Sequence, residues 1–128
     1  MEIRKELLYS KEHEWLKIQG GKATVGITGY AVHTLGDITF AEFVPPGTAV
    51  SQFGRLGTIE SVKAASDIFS PVSGKVASVN GKTAESPEII NSSPYDEGWL
   101  VMLEIEESPE EKNKLMTAEQ YEEYTKNL

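Results

Sequence analysis

Few side chains in this sequence offer reactive chemistry, and most of the candidates fall away. None of the 128 residues is cysteine, which excludes disulfides, thiol nucleophiles, zinc–thiolate sites and iron–sulfur clusters together. Ser61 and Ser66 lack the glycine-flanked elbow of a hydrolase nucleophile and read as strand hydroxyls. His13 and His33 have no partner at metal-binding spacing, so they read as ordinary, partly exposed histidines and no metal site is expected. A lone surface lysine is ordinarily a solvated charge, but the stretch Glu60-Ser-Val-Lys63-Ala-Ala-Ser-Asp67 is unusual as a hairpin. If Glu60 pairs with Asp67, then Val62 pairs with Ala65 and Lys63-Ala64 becomes a two-residue hairpin tip. The lysine amine then points away from the sheet, with only Val62, Ala64 and Ala65 beside it. Such tips ordinarily use Asn-Gly or another glycine-containing pair. The same register sets two carboxylates opposite each other, which costs about 0.2–1 kcal/mol. Local rules broken together at one spot mark a site or strain.

The surrounding elements must hold that tip. Residues 15–19, Gly20-Gly21 and residues 22–27 form the clearest hairpin, because Ala23, Val25 and Ile27 alternate with Thr24, Gly26 and Thr28. A short helix follows near 28–35, capped by Thr28, with Ala31, Val32 and Leu35 on one face and Gly36 to end it. Ile38 and Phe40 alternate with Thr39 and Ala41 in a strand stopped by Pro45-Pro46-Gly47. Residues 55–62, 65–69 and 75–79 read as further strands. The last strand, 99–105, sets Trp99, Val101, Leu103 and Ile105 on one face. Short strands with turn signals about every ten residues predict a mainly β fold, a β-sandwich or flattened barrel.

The chain carries 20 acidic and 12 basic residues, for a net charge of -8. That balance argues against nucleic acid, which needs clustered Lys and Arg. Apolar runs are too short for a membrane-spanning helix, and the first ten residues do not have the order of a secretory signal. Length and 39% hydrophobic content suit one folded domain over 1–128. Residues 106–128 hold seven acids and three bases, net -4. They read as a helical extension from about 108. Ser108-Pro109-Glu110-Glu111 and Thr117-Ala118-Glu119-Gln120 both have the pattern of a capping box. Tyr121, Tyr124 and Leu128 then recur at helical spacing, as for a solvated helix packed on the sandwich edge.

Glu60 to Asp67, followed by Ser70-Pro71-Val-Ser-Gly74-Lys-Val76 and Asn80, closely resembles the lipoyl-attachment region of the glycine cleavage system H-protein family. Three further segments carry the resemblance in family order: His13-Glu14-Trp15, Val25-Gly26-Ile27-Thr28 with Tyr30-Ala31, and Asn91-Ser92-Ser93-Pro94-Tyr95 with Gly98-Trp99. It extends from about Tyr9 to Tyr124.

The resemblance implies a lipoyl-domain-like barrel-sandwich hybrid and a non-catalytic carrier. A lipoate ligase or lipoyl/octanoyl transferase would join lipoic acid to Lys63 in an amide. Glycine decarboxylase, which uses pyridoxal phosphate, would load an aminomethyl group on the arm. An aminomethyltransferase would pass that carbon to tetrahydrofolate, and dihydrolipoamide dehydrogenase would reoxidise the dithiol. Glu60 and Asp67 would mark the tip for the lipoylating enzyme. The loaded arm would fold into a cleft where Glu14 and Asp67 hold the amine and Leu35 forms an apolar wall. The sequence departs from the family at one place: a His is expected directly before Leu35-Gly36, but Thr34 stands there and His33 precedes it. That shift turns the side chain by about 100° on a helix, so no role transfers to His33.

Other readings carry less. A biotin carrier uses a similar lysine-tipped hairpin but favours methionine on both sides, where Val62 and Ala64 stand here. Lipoate relay to other enzymes and a lipoate-binding role in sulfur oxidation keep the attachment and change the task. A purely structural module would carry no lysine modification. The family-like region starts within ten residues of Met1, so a cytoplasmic prokaryotic protein is expected, or a mitochondrial matrix one if the chain is a processed form.

Overall fold

A computed structural model describes residues 2–128. Strands β1 (Leu8–Tyr9), β2 (Glu14–Gln19) and β3 (Lys22–Ile27) open the chain and lead into helix α1 (Gly29–Leu35). Next come β4 (Ile38–Phe43), β5 (Ala49–Val50), β6 (Arg55–Ser61), β7 (Ala65–Phe69) and β8 (Gly74–Val79). Short helices α2 (Gly81–Glu85) and α3 (Glu88–Ser92) precede β9 (Val101–Glu104), and α4 (Pro109–Lys112) and α5 (Ala118–Lys126) follow it. One sheet has the order β1-β2-β3-β9-β8-β5 and the other β4-β6-β7. The result is a β-sandwich with short helices on its margins.

Period-two alternation supplies the core. Leu16, Ala23, Val25, Val101 and Leu103 turn inward from the larger sheet and meet Leu56 and Val76. Ile59 and Ile68 turn inward from the smaller sheet to meet Ile27, Ile38 and Leu100. A third apolar cluster lies on the opposite face of β2, where Trp15 and Tyr9 are covered by Tyr95, Ala118 and Tyr121. Trp15 sits across from Gly26. A Cβ at Gly26 would come 2.4 Å from the indole, so glycine is required there for close approach. The aromatic cluster is what docks α5: the Tyr9 and Tyr121 rings stack at 4.5 Å.

The first hairpin and α1 form as their residues predict. Thr28 caps α1 by accepting from Ala31 N–H, and Gly36 ends it at φ 76°. Elsewhere the pattern is broken locally. A bulge at Thr39 resets β4, so Ile38 and Ala41 are buried while Phe40 is 43% exposed. The expected shared face of Ile38 and Phe40 does not exist. Ser108 accepts from Glu111 N–H as an N-cap should, but the Glu111 carboxylate does not complete the capping box. It binds the N–H and hydroxyl of Ser73 instead and ties α4 to the start of β8. The Thr117 box is complete. Tyr121 packs fully, whereas Leu128 lies past the end of α5 and is exposed.

Candidate functional site

The β6–β7 hairpin presents Lys63, but in a different register from the expected one. Glu60 faces Ala65, Ile59 faces Ser66, and Thr58 faces Asp67. Ser61 N–H donates to Ala64 C=O at 2.8 Å, which makes Val62-Lys63 the two-residue tip in place of Lys63-Ala64. No carboxylates are opposed. The missing glycine also has a physical explanation: Ser61 Oγ accepts from the N–H groups of both Lys63 and Ala64, at 3.2 Å each. On the other side, Val62 N–H donates to Asp37 C=O at 3.1 Å. The tip is thus held from two directions, although its side chains are exposed.

Lys63 itself makes no salt bridge among the described residues. Its stem lies over Gly36: a Cβ added to that glycine would stand 3.3 Å from Cε and 3.7 Å from Nζ of Lys63. Gly36 therefore serves twice, as the left-handed end of α1 and as open ground beside the lysine.

Glu14 stands in the opposite condition. It is only 1% exposed, because it shares the inward face of β2 with Leu16 and Ile18. The chain reaches it through a tight turn in which His13 N–H donates to Ser10 C=O and His13 adopts φ 74°. Ser10 then holds Glu14 from both ends, accepting from its N–H at 3.0 Å and donating its hydroxyl to Oε1. Oε2 accepts from Phe69 N–H, on the edge strand β7, at 3.2 Å. Burial pushes the Glu14 carboxyl up to about 7, against the downward pull of the Ser10 and Phe69 hydrogen bonds. A groove of about 590 Å³ opens beside it, walled by Ser10, Lys11, Glu12, Phe53, Phe69 and Lys114.

Asp67 lies two residues before Phe69 on β7, about 7 Å along the strand, and it shares no hydrogen-bond partner with Glu14 among the described residues. Asp67 is on the outward face with Thr58 and Glu60, while Leu35 packs inward against the cluster that contains Ile38, Ile59 and Ile68. His33 is exposed on α1. His13 is half-buried, its Nδ1 lies 2.8 Å from the Tyr121 hydroxyl, and burial lowers its pKa. The same hydroxyl lies 2.7 Å from Thr28 Oγ1, so α5 also braces the cap of α1. Ser10 and Arg55 were not singled out from the sequence. For Ser10 the signal was its position four residues before Glu14, across a turn.

The family model for the glycine cleavage H-protein matches residues 7–128. The chain belongs to this family. The glycine cleavage system H protein of Brevibacillus brevis is 45% identical over 122 residues, which is 95% of this chain and 96% of that one. Mitochondrial H protein 2 of Arabidopsis thaliana is 48% identical over 95% of this chain and 78% of its own. The crystal structure of the H protein from Mycobacterium marinum has a TM-score of 0.85 at 33% identity, covering 98% of this chain and all of that one. This H-protein is accordingly a non-catalytic carrier of the glycine cleavage system, shuttling an aminomethyl group. Members of the family carry a lipoyl group on lysine and work with the other components of that system. The relatives include bacterial proteins and a mitochondrial one.

Proposed function

We propose that Lys63 is the lysine that carries lipoic acid, and that this chain presents the arm in turn to glycine decarboxylase, an aminomethyltransferase and dihydrolipoamide dehydrogenase. The observation that carries this reading is the amine of Lys63: exposed, paired with no carboxylate among the described residues, and mounted on a hairpin tip whose backbone is pinned by Ser61 and Asp37. Such a lysine fits the group. Its amine can be acylated without breaking an ion pair, and the rigid tip leaves all of the reach to the arm. When bound, the lipoyl group supplies the sulfur that takes up the aminomethyl group.

The remaining residues divide between marking and sheltering. Glu60 and Asp67 point outward on the hairpin and would identify the tip to a lipoate ligase or lipoyl/octanoyl transferase. Glu14, Asp67 and Leu35 would line the cleft for the loaded arm. A buried carboxyl with a raised pKa suits that task, because an arriving ammonium favours its charged form and is favoured by it in return. Ser10 fixes one Glu14 oxygen, and Phe69, on the edge strand β7, fixes the other. The chain's -8 charge would steer docking towards basic enzyme surfaces and favour short-lived complexes.

Reconstitution with glycine decarboxylase and labelled bicarbonate tests the reading. Lipoylated wild type is expected to support label exchange into glycine, and Lys63→Arg to support none. A fully lipoylated chain that supports no exchange would move the function to lipoate relay or sulfur metabolism.

A further inference from the structure

Asp67, assigned above to the cleft of the loaded arm, already has a cation beside it. Arg55, the first residue of β6, donates from Nε to Asp67 Oδ1 at 3.3 Å. Thr58, directly across the hairpin from Asp67, donates its hydroxyl to the same oxygen at 3.1 Å and accepts from a second nitrogen of Arg55. Oδ2 has no hydrogen-bond partner among the described residues. The guanidinium and carboxylate are 53% and 51% exposed, and an ion pair so exposed to water holds only weakly.

Glu14 has no comparable ion-pair partner among the described residues: its oxygens accept from the hydroxyl of buried Ser10 and from the backbone N–H of half-buried Phe69. The amine end of a loaded arm has the same charge as Arg55. A guanidinium in contact with Asp67 offsets part of the attraction that this carboxylate would exert on a second cation, and it must be displaced or tolerated when that cation arrives. We propose that Arg55 tempers the hold of Asp67 on the amine end of the loaded arm, and so sets how readily the arm leaves its cleft. The inference rests on the reading of Asp67 as part of that cleft. It gives the two carboxylates different tasks: Glu14 supplies a fixed hold, and Asp67 supplies one that is kept weak. A carrier serving several enzymes needs both, since an arm clamped too firmly is protected but not delivered.

Arg55 is exposed and lies outside the apolar core, so its replacement leaves the fold intact. The experiment measures the lifetime of the loaded, lipoylated chain in Arg55→Ala, Arg55→Lys, Asp67→Asn and the double variant Arg55→Ala/Asp67→Asn. Arg55→Ala is expected to lengthen the lifetime about two- to fivefold, the change that an exposed ion pair can make. Arg55→Lys, which keeps the charge, should stay within about twofold of wild type on the same grounds. Asp67→Asn should shorten the lifetime, and Arg55→Ala should add nothing to it. A second readout needs no turnover: the Nε–Hε nuclear magnetic resonance signal of Arg55 should shift when the lipoylated chain is loaded. If Asp67→Asn shortens the lifetime while Arg55→Ala leaves it unchanged or shortens it, or if the Arg55 signal does not move on loading, Arg55 has no tempering role and the cleft assignment stands. If Asp67→Asn leaves the lifetime unchanged, the cleft assignment of Asp67 falls and the role of Arg55 falls with it.

Discussion

The start of β2 and the tip of the β6–β7 hairpin treat charge in opposite ways. At the first, Glu14 is enclosed by the sandwich, held at both oxygens, and pays in desolvation for its place. At the second, Lys63 is held through its backbone alone and leaves its amine in water. One end is fixed at the side chain, the other only at the main chain. The difference teaches how a chain without catalytic groups can serve a reaction sequence. On the function proposed above, the mobile part is attached where no side chain grips it, and the place proposed to receive it is organised before it arrives.

The contrast can be broken first at Glu14. Its carboxyl is raised from 4.5 to about 7 in the folded chain, so the folded state binds the proton more tightly than the unfolded one. The stabilisation is complete below about pH 4.5 and is lost as pH rises through 7. Between pH 5 and pH 8, wild type should lose roughly 2–3 kcal/mol of unfolding free energy that Glu14→Gln does not lose. Lys63→Ala should follow wild type within about 0.5 kcal/mol at both pH values. Urea denaturation at the two pH values measures this, and parallel behaviour of wild type and Glu14→Gln would show that Glu14 is not held as described.

A smaller effect is expected at Gly36, which ends α1 beside the Lys63 stem. Gly36→Ala places a Cβ at φ 76° and against the Lys63 stem, and should cost about 1–2 kcal/mol. Thermal unfolding checks the size, and a neutral result would mean that the end of α1 relaxes freely. Smaller still is the division of labour beside the tip. Because Arg55 offsets Asp67 while Glu60 has no such partner among the described residues, Glu60→Gln should slow lipoylation more than Asp67→Asn. Initial rates with a lipoate ligase decide it, and equal rates for both variants and wild type would remove the carboxylates from recognition.

Much of this was legible in the residues. Gly-Gly between alternating runs announces the first hairpin, Thr28 and Gly36 bracket α1, and Thr117 with Gln120 announces α5. The exposure of Lys63 survives the change of register, because either tip leaves its side chain outside the sheet. The register itself was hidden in a side chain: Ser61 takes the turn N–H groups that a glycine turn would manage by backbone conformation alone. The burial of Glu14 was readable in part, since β2 alternates Glu14, Leu16 and Ile18 on one face. A carboxylate at the end of such a strand nonetheless suggests water until its partners, Ser10 and Phe69, are brought together. Glu111 had a good local use in a capping box and found a distant one at Ser73. The two-residue strands β1 and β5 and the five-residue helices α2 and α3 are too short to show a period, and tertiary contacts decide them.

The central claim is that Lys63 alone carries the arm. Intact mass of the chain purified from its native cell, with the modified peptide mapped, tests it most directly. The account predicts one lipoyl adduct, located on Lys63 and absent from Lys63→Arg. A lipoyl group on another lysine, or biotin on Lys63, would contradict it.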